Sequence, residues 1–123
     1  DIIRCALNEG KTVCIPKVNG EHMQAFVIDR ATVYSKNGWG IDEPVTDVVF
    51  PAKNIELSII PLVGFDRRLN RLGRGKGFYD KFLSGLPCKK IALAYSIQEE
   101  ESIVIEELDV RVDKIITEKE IIG

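Results

Sequence analysis

The stretch Ile55-Glu56-Leu57-Ser58-Ile59-Ile60-Pro61, then a polar run from Gly64 to Gly77, then Phe78-Tyr79-Asp80-Lys81-Phe82-Leu83, decides the fold. Its first part is apolar and β-branched and stops at a proline, which predicts a central strand. Its last part spaces Phe78, Tyr79, Phe82 and Leu83 at helical intervals, and Gly85 and Pro87 stop that helix. Outward from this unit the pattern repeats. Upstream, Ile2 to Glu9 has helical spacing and Gly10 is a natural stop. Thr12 to Ile15 reads as a short strand ended by Pro16, Asn19-Gly20 as a turn, and Met23 to Ile28 as the next strand. Residues 37–44 form a loop. Downstream, Ile91 to Tyr95 and Val112 to Thr117 are strands separated by an acidic segment, Glu99 to Leu108. Strands alternating with helices give an α/β layered sheet, partly parallel, in one domain over residues 1–123.

Composition narrows the function. The chain has 123 residues, 45% of them hydrophobic, enough for a buried core. A net charge of −2 and a pI near 5.5 argue against general affinity for nucleic acid or an anionic membrane, so any anion must meet a local basic patch. Cys5, Cys14 and Cys88 are odd in number and widely spaced, which fits reduced thiols in a cytoplasmic protein better than a disulfide framework or a zinc site. His22 is the only histidine, so a Ser-His-Asp arrangement or a histidine metal site is not expected. The chain opens at Asp1 inside a helical pattern, and an upstream segment is expected to be missing.

The local basic patch is Arg71-Leu72-Gly73-Arg74-Gly75-Lys76-Gly77. Alternating glycines let successive N–H groups point at one anion, and Arg71, Arg74 and Lys76 add full charges. Such a loop suits a polyphosphate whose terminal group is transferred. It is neither a Walker A loop, because Gly77 follows Gly75-Lys76, nor a dinucleotide fingerprint, because Phe78 replaces the third glycine. A solvated surface turn is the alternative reading of the same residues.

The run Phe65-Asp66-x-x-x-Asn70-Arg71-Leu72-Gly73-Arg74-Gly75-Lys76-Gly77-Phe78-Tyr79-Asp80 resembles the signature of the 5-formyltetrahydrofolate cyclo-ligase family. Collinear stretches are similar too: Trp39-Gly40-Ile41-Asp42-Glu43-Pro44, Ile60 to Asp66, Ala92-Leu93-Ala94-Tyr95 with Gln98, and Asp109-x-x-x-Asp113. The resemblance implies a three-layer α/β/α fold with a mostly parallel mixed sheet, NagB/RpiA-like and truncated at the N-terminus. It implies ATP-dependent closure of 5-formyltetrahydrofolate to 5,10-methenyltetrahydrofolate, with Mg²⁺, by a cytoplasmic monomer. By position, Arg71 to Tyr79 would hold ATP, and Trp39 and Arg74 to Phe78 would touch the folate. Arg74 and Lys76 would act in catalysis, and Asp80 and Asp109 would hold Mg²⁺. A non-catalytic nucleotide- or RNA-binding module of the same fold is the other reading. Two departures stand out: Phe78 where many relatives have Tyr, and Val104 where the family often has proline, which leaves the loop before Asp109 less constrained.

Overall fold

Residues 1–73, 77–106 and 109–123 are described by the structure, a computed structural model. The chain divides into two units, Asp1–Ala52 and Lys53–Gly123. In the first, helix α1 (Ile2–Asn8) is capped by Asp1, whose carboxylate accepts the Arg4 N–H at 2.8 Å. Strands β1 (Val13–Asn19) and β2 (His22–Ile28) make an antiparallel hairpin closed at Gly20, which takes φ 65°. Pro16 does not end β1. It lies at the sheet's edge opposite Ala25, where a missing N–H costs no second ladder bond. A second hairpin joins β3 (Tyr34–Lys36) to β4 (Asp42–Pro44), so the expected 37–44 loop is shorter than its sequence suggests. Strand β5 (Val49–Phe50) pairs with β2. The Lys17 ammonium sits 4.5 Å from the centre of the Phe26 ring and donates to the Pro44 carbonyl at 3.0 Å, tying β1 to β4.

The second unit holds the strand–loop–helix stretch. Strands β6 (Leu57–Ile60), β9 (Lys89–Leu93) and β10 (Lys114–Ile116) are parallel, and β11 (Ile121–Ile122) adds antiparallel, in the order β11-β10-β9-β6. Between β6 and β9 lie a two-stranded ladder, β7 (Gly64–Phe65) with β8 (Arg71–Leu72), and helix α2 (Phe78–Leu83). The α/β class and the mostly parallel mixed sheet are as expected. One element differs: β6 is an edge strand among the described residues, not a central one. Of its apolar side chains only Ile60 is buried. The core gathers Ile60, Phe65, Leu83, Cys88, Ala92, Val112, Ile115 and Ile122. Tyr79, Phe82 and Leu86 from the helical side pack against it.

Candidate functional site

Asp66 follows β7 and is buried with its charge. Its Oδ1 accepts the N–H groups of Arg68 at 2.9 Å and Asn70 at 3.1 Å. Its Oδ2 accepts Asn70 Nδ2 at 3.1 Å and the Ile103 N–H at 3.0 Å. Burial works against ionisation, but these bonds outweigh it and hold the carboxyl below the usual aspartate range. Asp66 thereby forces a tight turn: Asp66 N–H donates to the Asn70 carbonyl, and Leu69 takes φ 70°. Leu69 is the only non-glycine with positive φ among the described residues, a conformation that persists only where neighbours fix it.

The turn also recruits the acidic segment that begins at Glu99 and the residues that follow it. Glu100 N–H donates to the Phe65 carbonyl, Ile103 N–H to Asp66, Arg111 Nε to Asn70 Oδ1, and Val112 N–H to the Leu69 carbonyl. Residues on both sides of Val104 and Asp109 are therefore anchored to the turn. The sequence offers one signal for this: an aspartate and an asparagine four residues apart beside a glycine loop, both able to bond backbone groups.

The turn delivers Arg71 into β8 with its side chain 5% exposed. Its Nη1 donates to the Pro61 carbonyl at 3.2 Å. Nη2 lies 3.7 Å from Asp80 Oδ1, an ion pair rather than a hydrogen bond. The guanidinium carbon is 5.7 Å from the centre of the Tyr79 ring. Nε is buried without a hydrogen-bond partner among the described residues. Burial pushes the Tyr79 phenol up, against the opposing pull of Arg71, so it stays neutral at physiological pH. Asp80 Oδ1 also accepts the Val110 N–H at 3.0 Å, so this carboxylate bonds the peptide that follows Asp109.

Arg71, Tyr79 and Asp80 are thus brought together. Gly73 lies against them: a Cβ there would stand 2.9 Å from Arg71 Nη1. Gly73→Ala is expected to displace the guanidinium and cost about 1 kcal/mol, read as a lower denaturation midpoint and a shifted Arg71 side-chain NMR signal. Leu72 is exposed, and its carbonyl accepts the Val63 N–H. Gly77 caps α2 in the left-handed conformation, and Phe78 is half-buried. Asp109 is exposed and its Oδ2 accepts the Glu106 N–H at 2.8 Å. Trp39 is exposed in the β3–β4 hairpin, whose loop is held by Asn37 Oδ1 accepting the N–H groups of Trp39 and Ile41. Arg74, Gly75 and Lys76 lie outside the described residues.

The donor set bears on magnesium. Among the described residues no group of three or more histidine, cysteine, aspartate or glutamate side chains gathers to hold a metal. That leaves, among them, the other mode of binding Mg²⁺, one or two carboxylates completed by phosphate oxygens and water.

Residues 1–118 match the family model described as the 5-formyltetrahydrofolate cyclo-ligase family. The chain is 40% identical over 88 residues to a probable 5-formyltetrahydrofolate cyclo-ligase of Schizosaccharomyces pombe, covering 68% of this chain and 43% of that protein. It is 30% identical over 132 residues to the 5-formyltetrahydrofolate cyclo-ligase of Mus musculus, covering 95% and 65%. The structure is similar to the NMR structure of the Aquifex aeolicus 5,10-methenyltetrahydrofolate synthetase, with TM-score 0.83 and 31% identity over 98% of this chain and 61% of that one. It is also similar to a 5,10-methenyltetrahydrofolate synthetase from Mycoplasma pneumoniae, with TM-score 0.70 and 29% identity over 93% and 60%. The chain therefore spans between 43% and 65% of the length of these proteins.

Proposed function

The chain belongs to the 5-formyltetrahydrofolate cyclo-ligase family, and from that premise we propose that it forms the phosphate-holding part of an ATP-dependent enzyme that makes 5,10-methenyltetrahydrofolate. The observation that carries the reading is the buried Arg71, pinned on Tyr79 with its charge toward Asp80, at the start of the glycine-rich run.

In the reaction proposed, the formyl oxygen of 5-formyltetrahydrofolate attacks the γ-phosphorus of ATP. The bond from that phosphorus to the bridging oxygen breaks, and ADP leaves. N10 then attacks the activated carbon, the C–O bond to phosphate breaks, and N10 gives up its proton. No nucleophilic side chain is needed, so the protein's work is alignment and charge neutralisation. Backbone N–H groups from Arg71 to Tyr79 would orient the triphosphate, and Arg74 and Lys76 would offset the charge that develops on the transferred group. The resemblance gives Arg74 to Phe78 contact with the folate. Asp80 and Asp109 would hold Mg²⁺, which offsets phosphate charge when bound. Arg71, turned inward, faces and orients Asp80 rather than contacting solvent. The free cysteines, Cys5, Cys14 and Cys88, suit a reducing cytoplasm. No helix among the described residues is long and apolar enough to cross a membrane.

The test follows the absorbance of methenyltetrahydrofolate formed from 5-formyltetrahydrofolate, on this chain alone and joined to the rest of a relative's polypeptide. Turnover is expected in the joined protein, only with ATP and magnesium, and weak ATP binding with little turnover in the 123 residues alone. Arg74→Ala is expected to suppress the joined protein's turnover without unfolding it. Product formed without ATP, or none in the joined protein, overturns the reading.

Trp39 is the chain's single tryptophan, so intrinsic indole fluorescence reports on it alone. A flat pterin selects an aromatic partner. Adding 5-formyltetrahydrofolate is expected to quench this emission. Trp39→Ala is expected to raise KM for the folate about tenfold with kcat changed less than about twofold, the mark of lost uniform binding. An unquenched spectrum with unchanged KM removes Trp39 from the folate site.

A further inference from the structure

We propose that Asn37, at the head of the loop that carries Trp39, is a modification site that forms a succinimide spontaneously and so becomes aspartate and isoaspartate. The conversion needs neither ATP nor folate and is independent of the reaction proposed above. Asn37-Gly38 is one of two Asn-Gly steps in the chain, the other being Asn19-Gly20. Two backbone bonds close the loop between β3 and β4. Asn37 N–H donates to the Ile41 carbonyl at 2.9 Å, and Gly40 N–H donates to the Asn37 carbonyl at 3.0 Å. Gly40 takes φ 74°, as the last residue of a three-residue hairpin loop does. The Asn37 side chain folds over this loop, and its Oδ1 accepts Trp39 N–H at 2.8 Å and Ile41 N–H at 3.1 Å. A side chain bonded two residues onward mimics a backbone turn, which brings its Cγ beside the intervening peptide nitrogen, that of Gly38.

The chemistry follows from that placement. The Gly38 nitrogen adds to Cγ, and negative charge gathers on Oδ1, where the Trp39 and Ile41 amides already point as a small oxyanion hole. The Cγ–Nδ2 bond then breaks, and ammonia leaves with the proton that Gly38 N–H gives up. Among the described residues neither Gly38 N–H nor Asn37 Nδ2 has a hydrogen-bond partner, so nucleophile and leaving group are both unencumbered. A Cβ at Gly38 would meet nothing within 4 Å, so water reaches the ring that forms. Water opens the imide at either carbonyl. Cleavage between Cγ and the nitrogen gives aspartate, and cleavage at the main-chain carbonyl gives isoaspartate. Aspartate keeps the loop, because a carboxylate accepts the same two N–H groups more strongly. Isoaspartate lengthens the main chain by one methylene between Lys36 and Gly38. The pairing of Lys36 with Asp42 then loses its register, and Trp39 moves. At the other Asn-Gly step, Asn19 is held in the ladder opposite His22, and turning its main chain to present Gly20 N breaks that pairing. Asn8, Asn54 and Asn70 precede Glu9, Ile55 and Arg71, whose side chains crowd the attacking nitrogen.

The test incubates the folded 123-residue chain in mildly alkaline buffer and follows each asparagine by digestion and mass spectrometry. Electron-transfer fragmentation separates aspartate from isoaspartate. Asn37 is expected to convert at least about fivefold faster than Asn19. Gly38→Ala is expected to slow conversion at Asn37 at least about tenfold, because a methyl group hinders the attacking nitrogen. The open space at that position lets the variant keep the fold. Indole emission reads the consequence at Trp39 alone. Asn37→Asp is expected to leave that emission unchanged, and the isoaspartyl fraction, separated chromatographically, to shift it. The site comparison is made on the wild-type chain, so it decides the matter even if a variant folds poorly. Conversion at Asn37 no faster than at Asn19 overturns the proposal. So does an unchanged rate in folded Gly38→Ala, or an isoaspartyl fraction whose emission matches that of the unmodified chain.

Discussion

Asp66→Ala is expected to lower the unfolding free energy by about 3–4 kcal/mol, a large share of the 5–15 kcal/mol typical of a domain. The reason is the asymmetry of buried hydrogen bonds. The four donors on Asp66 come from Arg68, Asn70 (twice) and Ile103. Alanine accepts none of them, and at least the Ile103 and Asn70 groups are left buried and unpaired. For a chain of this length the midpoint of thermal unfolding is expected to fall by roughly 10 °C or more. Asp66→Asn is expected to be nearly as damaging, because its amide group turns a donor toward donors. The sign with pH is fixed by the depressed carboxyl. The stability that Asp66 contributes is complete above the ordinary aspartate value of about 3.9 and is lost as pH falls below it through the folded-state value. Denaturant titrations at pH 7 and near pH 3 are expected to show a smaller gap between wild type and Asp66→Asn at the lower pH. A variant within about 1 kcal/mol of wild type at pH 7 contradicts this account.

The sequence carried the elements and the motif but not the wiring. Helical and strand periodicities were legible at α1, β2, β9 and α2 because each has an apolar face at a regular interval. The rank of β6 was not legible. Leu57, Ile59 and Ile60 read as a largely apolar strand, and periodicity cannot say whether both faces are covered. Pro16 was misleading for a related reason, since proline stops a ladder only where a second neighbour needs its N–H. At the candidate site the residues that meet, Arg71, Tyr79 and Asp80, fall within the run that the resemblance marks. What could not be read was that Arg71 turns inward, because an arginine between Asn70 and Leu72 at the start of a glycine-rich run looks like a solvent cation. The segment from Glu99 to Val112 was opaque as well. Its role lies in backbone N–H groups that dock on Asp66 and the carbonyls of Phe65 and Leu69, and backbone donors carry no sequence signature.

Arg71→Met and Asp80→Asn, made in the protein joined to the rest of a relative's polypeptide, are each expected to lower kcat/KM for ring closure by at least about 100-fold. Their stabilities are expected to behave differently from their rates. Arg71 is 5% exposed and Asp80 17% in their side chains, so removing either partner leaves a poorly solvated charge. At 3.7 Å the pair lacks a direct hydrogen bond, so each single change is expected to cost about 2–3 kcal/mol, below the range for a tightly bonded buried pair. Replacing both with neutral groups removes the uncompensated charge, and the double variant is expected to recover most of that loss. Turnover is not expected to recover. Asp80 is proposed to face magnesium with Asp109 as well as Arg71, so neutralising it should raise the magnesium concentration needed for half-maximal ATP binding, whatever stands at position 71. A double variant that regains both stability and rate would reduce Asp80 to a counter-ion for Arg71. An unchanged magnesium requirement in Asp80→Asn would remove it from the metal site, because a carboxylate that binds the ion cannot be neutralised without weakening it.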